Sequence, residues 1–538
     1  MLHSADDYLS LRRNFTWHIP ARYNIATYCC DRWAEADPAR PAILWKDDQD
    51  RIAALSFADL QKQANRLANA LQALGIQGGD RVAIILPQGW QVPVIHMALY
   101  KLGAIALPLA VLFGVEALEY RLRDAGVTLA ITNHIGLAKI AEIRDRLPAL
   151  STLLSTEGPA AGALEFTALL AGARDHFVTA DTAPDDPAMM IYTSGTTGPP
   201  KGALHAHRVV LGHLPGVQMA NAFLPEEGDR LWTPADWAWA GGLLNILLPA
   251  LHFGLPVVAG RNEKFDPDRA YRLMADFAVR NAFIPPTALK MLRTAPLPAG
   301  RHKLVLRTIG SGGESLGAET FAWSREAFGF AVNEFYGQTE CNLVLASCAR
   351  IGVSKAGFIG KPVPGHEVAV IRDDGTICAA MEQGQIAVRR PDPVMFLAYW
   401  NQPEATTRKF IGNWMTTGDQ GLVDDEGYVH FIGRDDDVIT SAGYRIGPGE
   451  IEDCLLKHPA VALAAVIGKP DALRTEIVKA FIQLKAGHSE SETLRSDISA
   501  FVRERLSAHE YPREIAFVDS LPMTTTGKII RRLLRDQL

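Results

Sequence analysis

The sequence predicts an α/β protein with two unequal parts. The larger is an N-terminal domain of layered α/β subdomains with parallel-rich sheets plus a small antiparallel β subdomain; the smaller is a mobile C-terminal α+β domain. Three observations carry this prediction. Short apolar runs alternate with longer amphipathic ones over about the first 310 residues, the rhythm of parallel strands covered by helices. From about Gly365 the rhythm becomes period 2 in HEVAVIRDDG, GQIAVRRP and GYVHFIG, punctuated by Asp-Gly and Glu-Gly turns, which predicts antiparallel pairing. Finally, the charged segment Gly433-Arg434-Asp435-Asp436-Asp437 follows a strand and leaves about 100 residues, enough for one small domain. The expected domains are residues 1–434 and 435–538.

The strand-like runs are Arg81–Pro87, Leu129–Asn133, Met189–Thr193, Arg230–Pro234, Asn281–Pro285 and Leu304–Gly310. Phe57–Leu74 places Leu60, Ala64, Leu67, Leu71 and Leu74 at helical spacing, and Asp268–Ala278 repeats the pattern. Beyond the charged segment we expect a helix at Gly449–Lys457, strands at Ala460–Ile467 and Ile477–Leu484, and a helix near Glu492–Leu506. In the terminal GKIIRRLLRDQL, Ile530, Leu533 and Leu534 are expected to pack while Arg531, Arg532 and Arg535 stay in water.

Composition narrows the function classes. At 538 residues with 48% hydrophobic and 21% charged residues, the chain is too apolar to be disordered. Fifty-four Lys and Arg against 60 Asp and Glu give a net charge of −6, which argues against nucleic acid as a partner. Six cysteines show neither a disulfide framework nor zinc spacing and suit a reduced, cytoplasmic location. The first 20 residues lack the apolar core of a signal peptide. The apolar stretches Val82–Gly114 and Gly242–Gly260 are broken by prolines, Lys101 and His252, so no membrane span is expected.

The strongest local signal is Tyr192-Thr193-Ser194-Gly195-Thr196-Thr197-Gly198-Pro199-Pro200-Lys201-Gly202, which directly follows a strand-like run. Its glycines permit close backbone approach to an anion, its hydroxyls and N–H groups are donors, and its lysine adds charge. That chemistry suits a polyphosphate, although a Walker A pattern cannot be laid over it.

This loop resembles the signature of the adenylate-forming family: acyl-CoA synthetases, luciferases and peptide-synthetase adenylation domains. Five further motifs follow in the family's order. The resemblance implies that Thr193, Ser194, Gly195, Thr196, Thr197, Gly198 and Lys201 cradle ATP phosphates, with Thr196 also catalytic. Gly312-Gly313-Glu314-Ser315-Leu316 is similar to the adenine-contacting segment, making Gly313, Glu314 and Ser315 nucleotide ligands. Asn333–Glu340 (NEFYGQTE) resembles the motif in which adenine stacks on Tyr336, with Glu334, Phe335, Gly337, Gln338 and Thr339 around it and Glu340 holding Mg²⁺. Asp419 in Thr417-Gly418-Asp419 then binds the ribose hydroxyls, with Arg434 nearby. Asp435 and Asp436 are the hinge candidates. Pro522–Lys528 resembles the loop carrying the catalytic lysine, Lys528.

These roles are physically sensible. Joining a carboxylate to ATP brings two anions together, so cations must face the developing charge. Glu340 is a hard oxygen ligand of the kind Mg²⁺ takes beside phosphates, and the acceptor-only carboxylate of Asp419 suits a diol.

Within the family, Thr440–Gly447 (TSAGYRIG) resembles the coenzyme A–utilising branch. It implies CoA contacts from Ala442, Gly443, Tyr444 and Arg445, with Arg474 and Tyr511 as further candidates. That branch usually has glycine after the arginine of PD-x-x-R; here the residue is Thr475. Trp232–Gly242 (WTPADWAWAGG) resembles the short- and medium-chain branch, in which Trp239 borders the acyl pocket and Trp237 reads equally as core. Gly241, Gly310, Gly337 and Cys341 complete the expected pocket. Acetyl-specific members carry Trp at the Gly337 position, so a deeper channel past Gly337 is expected. His205 and His207 read either as adenylate contacts or as ordinary polar residues. The resemblance is therefore to an ATP-dependent acid–CoA ligase using ATP, Mg²⁺, CoA and a small-molecule carboxylic acid, medium-chain, branched or aryl. An adenylating enzyme that loads a carrier protein is the alternative, and an oligomer stays open.

Overall fold

Two mainly parallel sheets form most of the large domain. The computed structural model describes residues 1–193, 199–260, 265–296, 298, 300–435, 437–441, 444–471, 474–506, 511–523 and 528–538, with the backbone alone at 440, 444, 445 and 450. One sheet has eight strands, ordered Ala398–Tyr399, Gly202–Ala206, Pro187–Tyr192, Ile105–Pro108, Arg81–Ile85, Leu129–Thr132, Thr152–Ser155 and Leu164–Glu165. Its central strands are parallel and nearly all buried, as continuous apolar runs covered on both faces must be. The other has nine strands, running from Lys361–Pro362 through Cys341–Ala346, Asn333–Gln338 and Thr308–Gly312 to the edge hairpin Pro41–Lys46/Ile52–Ser56.

Local signals explain the helices. Phe57–Ala73 buries Phe57, Leu60, Ala64, Leu67 and Leu71, and its Ser56 cap accepts a bond from the Asp59 amide at 3.1 Å. Helix Val209–Ala220 is buried nearly throughout because Gly212 and Gly216 let it lie directly on its neighbours. A Cβ on Gly212 would stand 2.5 Å from the Val394 nitrogen, and one on Gly216 would meet Leu343.

The period-2 region folds as expected into a five-stranded antiparallel sheet that includes Val368–Ile371, Gly384–Arg389 and Val429–Arg434. Its central strand, Trp414–Val423, carries no alternating signal in WMTTGDQGLV. The smaller C-terminal domain pairs Val461–Asp471 with Thr475–Leu484, adds Ile439–Ser441 and Glu514–Phe517, and packs helices Pro448–Leu456 and Glu492–Arg505 on them. Among the described residues, no helix is long and apolar enough to cross a membrane.

Some boundaries move. The Leu304–Gly310 run becomes a strand only at Thr308–Gly312. The Arg307 and Thr308 amides both bond the Arg280 carbonyl, at 2.7 and 3.1 Å, so the ladder begins there. The terminal arginines do not all stay in water. Arg531 pairs with Glu452 at 2.7 Å and with Asp437 at 3.5 Å, and Arg535 pairs with Asp437 at 2.7 Å. Leu534 packs, whereas Leu533 is exposed, because the last short helix presents only one face to the sheet.

The two domains meet at named contacts. The Asp453 carboxylate accepts the Glu319 amide at 3.2 Å, beside Gly317, and Gly449 lies against Ser315. Thr475 keeps the glycine-type backbone of its position, with φ +70°. A β-branched residue there is strained by about 1–3 kcal/mol, more than the roughly 0.5–1 kcal/mol of chain entropy that glycine costs. Thr475→Gly is therefore expected to stabilise the C-terminal domain by about 1 kcal/mol in denaturant unfolding; a loss of stability would show the conformation is not strained.

Candidate active site

The phosphate-type loop joins two antiparallel strands instead of leading into a helix. Tyr192 pairs with Gly202, and the Thr193 amide bonds the Lys201 carbonyl at 2.9 Å, closing the base of the hairpin. Ser194, Gly195, Thr196, Thr197 and Gly198 lie outside the described residues. Lys201 reaches across to the Tyr399 ring, 5.2 Å from its centroid. The Tyr399 hydroxyl donates to the Glu340 carboxylate. Glu340 sits with Thr339 in the two-residue turn of the Asn333–Gln338/Cys341–Ala346 hairpin, buried to 7% exposure. Burial beside that carboxylate pushes the Tyr399 phenol far up, so it stays a donor.

A second carboxylate is held in the same manner. The Tyr336 hydroxyl donates to Asp419, and strand register sets Asp419 opposite Arg434, their charges 3.9 Å apart. Thr417 organises this turn. Its hydroxyl donates to the Ile386 carbonyl at 2.6 Å and accepts the Asp419 amide at 3.1 Å, while its carbonyl accepts Gln338 Nε2 at 3.0 Å. Burial raises the Asp419 pKa against the pull of Arg434, Tyr336, Lys409 and Lys528. Lys409 was not foreseen. Its ammonium lies 3.4 Å from the Thr417 carbonyl, where burial lowers its pKa while Glu340 and Asp419 raise it. In the sequence TTRKF it reads only as a cation at a helix end.

The C-terminal lysine completes the cluster. Lys528 lies over Gly313: a Cβ there would stand in ordinary contact, 3.5 Å from Lys528 Cε and 3.7 Å from Nζ. Gly313 has φ +96°. Lys201, Glu340, Tyr336, Asp419, Arg434, Gly313 and Lys528 thus surround one region, drawn from both sheets, the antiparallel subdomain and the C-terminal domain.

Other expected nucleotide ligands have protein partners for their side chains. Glu334 accepts the Leu316 amide at 3.0 Å, and burial pushes its pKa up to about 7. Glu314 accepts the Thr287 hydroxyl at 2.7 Å. The Phe335 ring is buried on Phe283, with centroids 5.2 Å apart, so its side chain packs in the core.

The AMP-binding enzyme model matches residues 30–400, and the AMP-binding enzyme C-terminal domain matches 450–528. The chain belongs to the AMP-binding enzyme family. It is 34% identical to the acetyl-coenzyme A synthetase of Bacillus subtilis, over 99% of this chain and 95% of that protein. It is 33% identical to the mitochondrial acyl-coenzyme A synthetase ACSM4 of Mus musculus, over 96% and 91%. The crystal structure of the anthranilate CoA ligase AuaEII with anthranoyl-AMP superposes with a TM-score of 0.90 at 30% identity, covering 96% of this chain and 98% of that one. Like these family members, the protein is an ATP-dependent acid–CoA ligase.

In this ligase the expected acyl-pocket residues are mostly tightly packed. Trp237 is core, at 1% exposure, while Trp239 meets Phe113 edge-on at 5.5 Å. Cβ atoms on Gly241 and Gly310 would stand 2.9 Å from Phe283 and 3.1 Å from Phe335, so that phenylalanine pair closes over both glycines. Cys341 is buried among core side chains. A Cβ on Gly337 would stand 2.6 Å from Asn342 Cα, because the hairpin strands close on that side of it. His205 and His207 are buried and neutral, with pKa values lowered by burial to about 3 and about 4, and His207 Nδ1 accepts the Ile25 amide.

The CoA candidates are partly described. Ala442 and Gly443 lie outside the described residues, as does Asp436, and Tyr444 and Arg445 are placed by backbone alone. Ser441 pairs with Thr475, which brings that hairpin beside Arg474. Tyr511 stands apart between Arg503 and Arg513, lining a groove on the C-terminal domain.

Gly337→Ala is expected to destabilise the protein by about 1–3 kcal/mol through backbone overlap and to lower kcat/KM for all acids in proportion. A selective shift toward short acids would restore the channel reading.

Proposed function

We propose that this ligase activates an uncharged-tail carboxylic acid, medium-chain, branched or aryl, as an acyl-adenylate, and then transfers the acyl group to coenzyme A. The observation that carries this reading is Lys528 lying over Gly313 beside Asp419, which puts the C-terminal lysine at the proposed nucleotide site. Thr193, Lys201, Gly313, Ser315, Tyr336, Gln338, Asp419 and Arg434 form that site, together with the undescribed 194–198 loop.

The substrate carboxylate attacks the α-phosphorus of ATP and pyrophosphate leaves. Lys528 and Lys201 offset the negative charge that gathers on the phosphate oxygens. Glu340 fits Mg²⁺ because Tyr399 occupies one carboxylate oxygen and leaves the other for a hard cation. When bound, that ion would neutralise phosphate charge. Asp419 would take the ribose hydroxyls, with Tyr336 exchanging its bond to the carboxylate for contact with adenine.

The second step needs a different face of the C-terminal domain. Residues 435–538 rotate about Asp435 or Asp436, withdrawing Lys528 and presenting Gly443, with Arg445, Arg474 and Tyr511 toward CoA. The thiol then attacks the acyl carbon and AMP leaves. Asp435 is tied to the large domain through its amide on Gly418 and its carboxylate on Gln420, so rotation exchanges these bonds. The similarity of 440–447 to the CoA branch favours CoA over a carrier protein as acceptor.

Coupled AMP release across a panel of acids, with and without CoA, tests the reaction. Lys528→Ala should slow adenylation by about 10²–10³ while sparing thioester formation from supplied acyl-AMP. Equal loss in both half-reactions would contradict the two-orientation scheme.

A further inference from the structure

Beside Gly337 and Gly241, where the motifs imply the acyl group, one cluster of nearly buried side chains is polar. His213 in helix Val209–Ala220, Asn245 in the π-helical turn Leu243–Leu247 and Asn342 in strand Cys341–Ala346 are 1%, 3% and 7% exposed. They form a connected chain of hydrogen bonds. His213 Nδ1 lies 2.7 Å from the Val209 carbonyl, which only accepts, so this nitrogen carries the proton. Burial lowers the His213 pKa to about 3, keeping the ring neutral, and Nε2 is therefore an acceptor. Asn342 Nδ2 donates to it at 3.1 Å and to Asn245 Oδ1 at 2.7 Å.

The histidine tautomer thus orients both amides. Asn342 is left with Oδ1 as an acceptor and Asn245 with Nδ2 as a donor, and neither finds a hydrogen-bond partner among the described residues. Neither atom is fully buried although both residues nearly are, so each opens onto accessible space where a ligand or a water can meet it. Their position identifies which. Asn342 Oδ1 would be 2.6 Å from a Cβ on Gly337, next to the nucleotide motif. Asn245 lies one turn beyond Gly241 on the same helical stretch.

We infer that His213, Asn245 and Asn342 form a polar subsite for the acyl group. The acid this enzyme activates then bears an uncharged hydrogen-bonding group, a hydroxyl or an amino group, instead of a plain hydrocarbon tail. This rests on the acid–CoA ligase reading and on the acyl group lying beside Gly337 and Gly241, as the motifs imply. A charged substituent does not fit, since the neutral imidazole and two amides supply no counter-charge. A hydrogen-bonding substituent satisfies both the open acceptor and the open donor, and an apolar isostere leaves them buried and unpaired.

The test is kcat/KM from AMP release on matched acids: benzoate against 2-, 3- and 4-hydroxybenzoate and 2-aminobenzoate, and hexanoate against its monohydroxy derivatives. The best polar acid should exceed its unsubstituted partner at least about tenfold. In Asn342→Leu the ratio should fall toward one, because the polar acid loses more than the plain one. The ratio within one protein preparation is insensitive to partial misfolding, and the unmodified enzyme alone decides the first comparison. Preference for the plain acid in every pair, or proportional loss of both acids in Asn342→Leu, overturns the polar subsite while leaving the ligase standing. Absence of AMP release with every acid overturns the proposed function and this inference together.

Discussion

The structure depends on burying two carboxylates, Glu340 and Asp419, in a seam where several layers of the protein meet. An isolated buried carboxylate is too costly to keep ionised without partners. Each is therefore given a phenol, Tyr399 for Glu340 and Tyr336 for Asp419. Around them stand Lys201, Lys409, Arg434 and Lys528, drawn from four separate segments. The parallel sheet supplies Lys201 at a hairpin base, and the second sheet supplies Glu340 at a two-residue turn. The antiparallel subdomain sets Asp419 across from Arg434. This balance of charge suits a site that must accept a triphosphate and a carboxylate together.

Two glycines shape the convergence. Gly313 supplies the positive φ of the backbone beneath Lys528, and Gly337 admits the returning strand at Asn342. The second differs from what the motif alone suggests. A glycine in place of a bulky residue reads as empty space, yet the space at Gly337 is filled by backbone. The Phe283–Phe335 pair closes over Gly241 and Gly310, and Gly212 and Gly216 bring the helix carrying His213 hard against its neighbours.

Much of the fold was legible because its signals are local. The continuous apolar run at Arg81–Ile85, the capped helix Phe57–Ala73 and the period-2 strands after Gly365 each announce themselves in a few residues. Trp414–Val423 did not, since Gly, Thr and Asp in a central strand reflect the nucleotide turn it carries rather than strand propensity. In the site, Lys201, Glu340, Tyr336, Asp419, Arg434 and Lys528 stand in ordered motifs, and the structure brings them together. Tyr399 and Lys409 stand in no motif: Tyr399 is placed by a contact to Glu340, far off in the sequence, and Lys409 by its burial beside Thr417. At Glu334 and Phe335 the motif is visible in the sequence but side-chain direction is not: the carboxylate accepts the Leu316 amide and the ring packs on Phe283. The terminal arginines failed similarly: Arg531 and Arg535 look solvated until Glu452 and Asp437 are placed beside them.

The central claim is that this arrangement, with Lys528 over Gly313 and Asp453 against Gly317, is the adenylate-forming orientation and must be left before CoA reacts. Asp453 Cβ lies 3.6 Å from where a Cβ on Gly317 would stand, within the range that a disulfide spans. The most direct measurement is therefore product analysis of the double variant Gly317→Cys/Asp453→Cys, oxidised and reduced. Oxidised enzyme should release pyrophosphate and retain acyl-AMP in a single turnover without forming acyl-CoA, and reduction should restore acyl-CoA. Acyl-CoA formed at the same rate by the verified cross-linked and reduced forms would contradict the account.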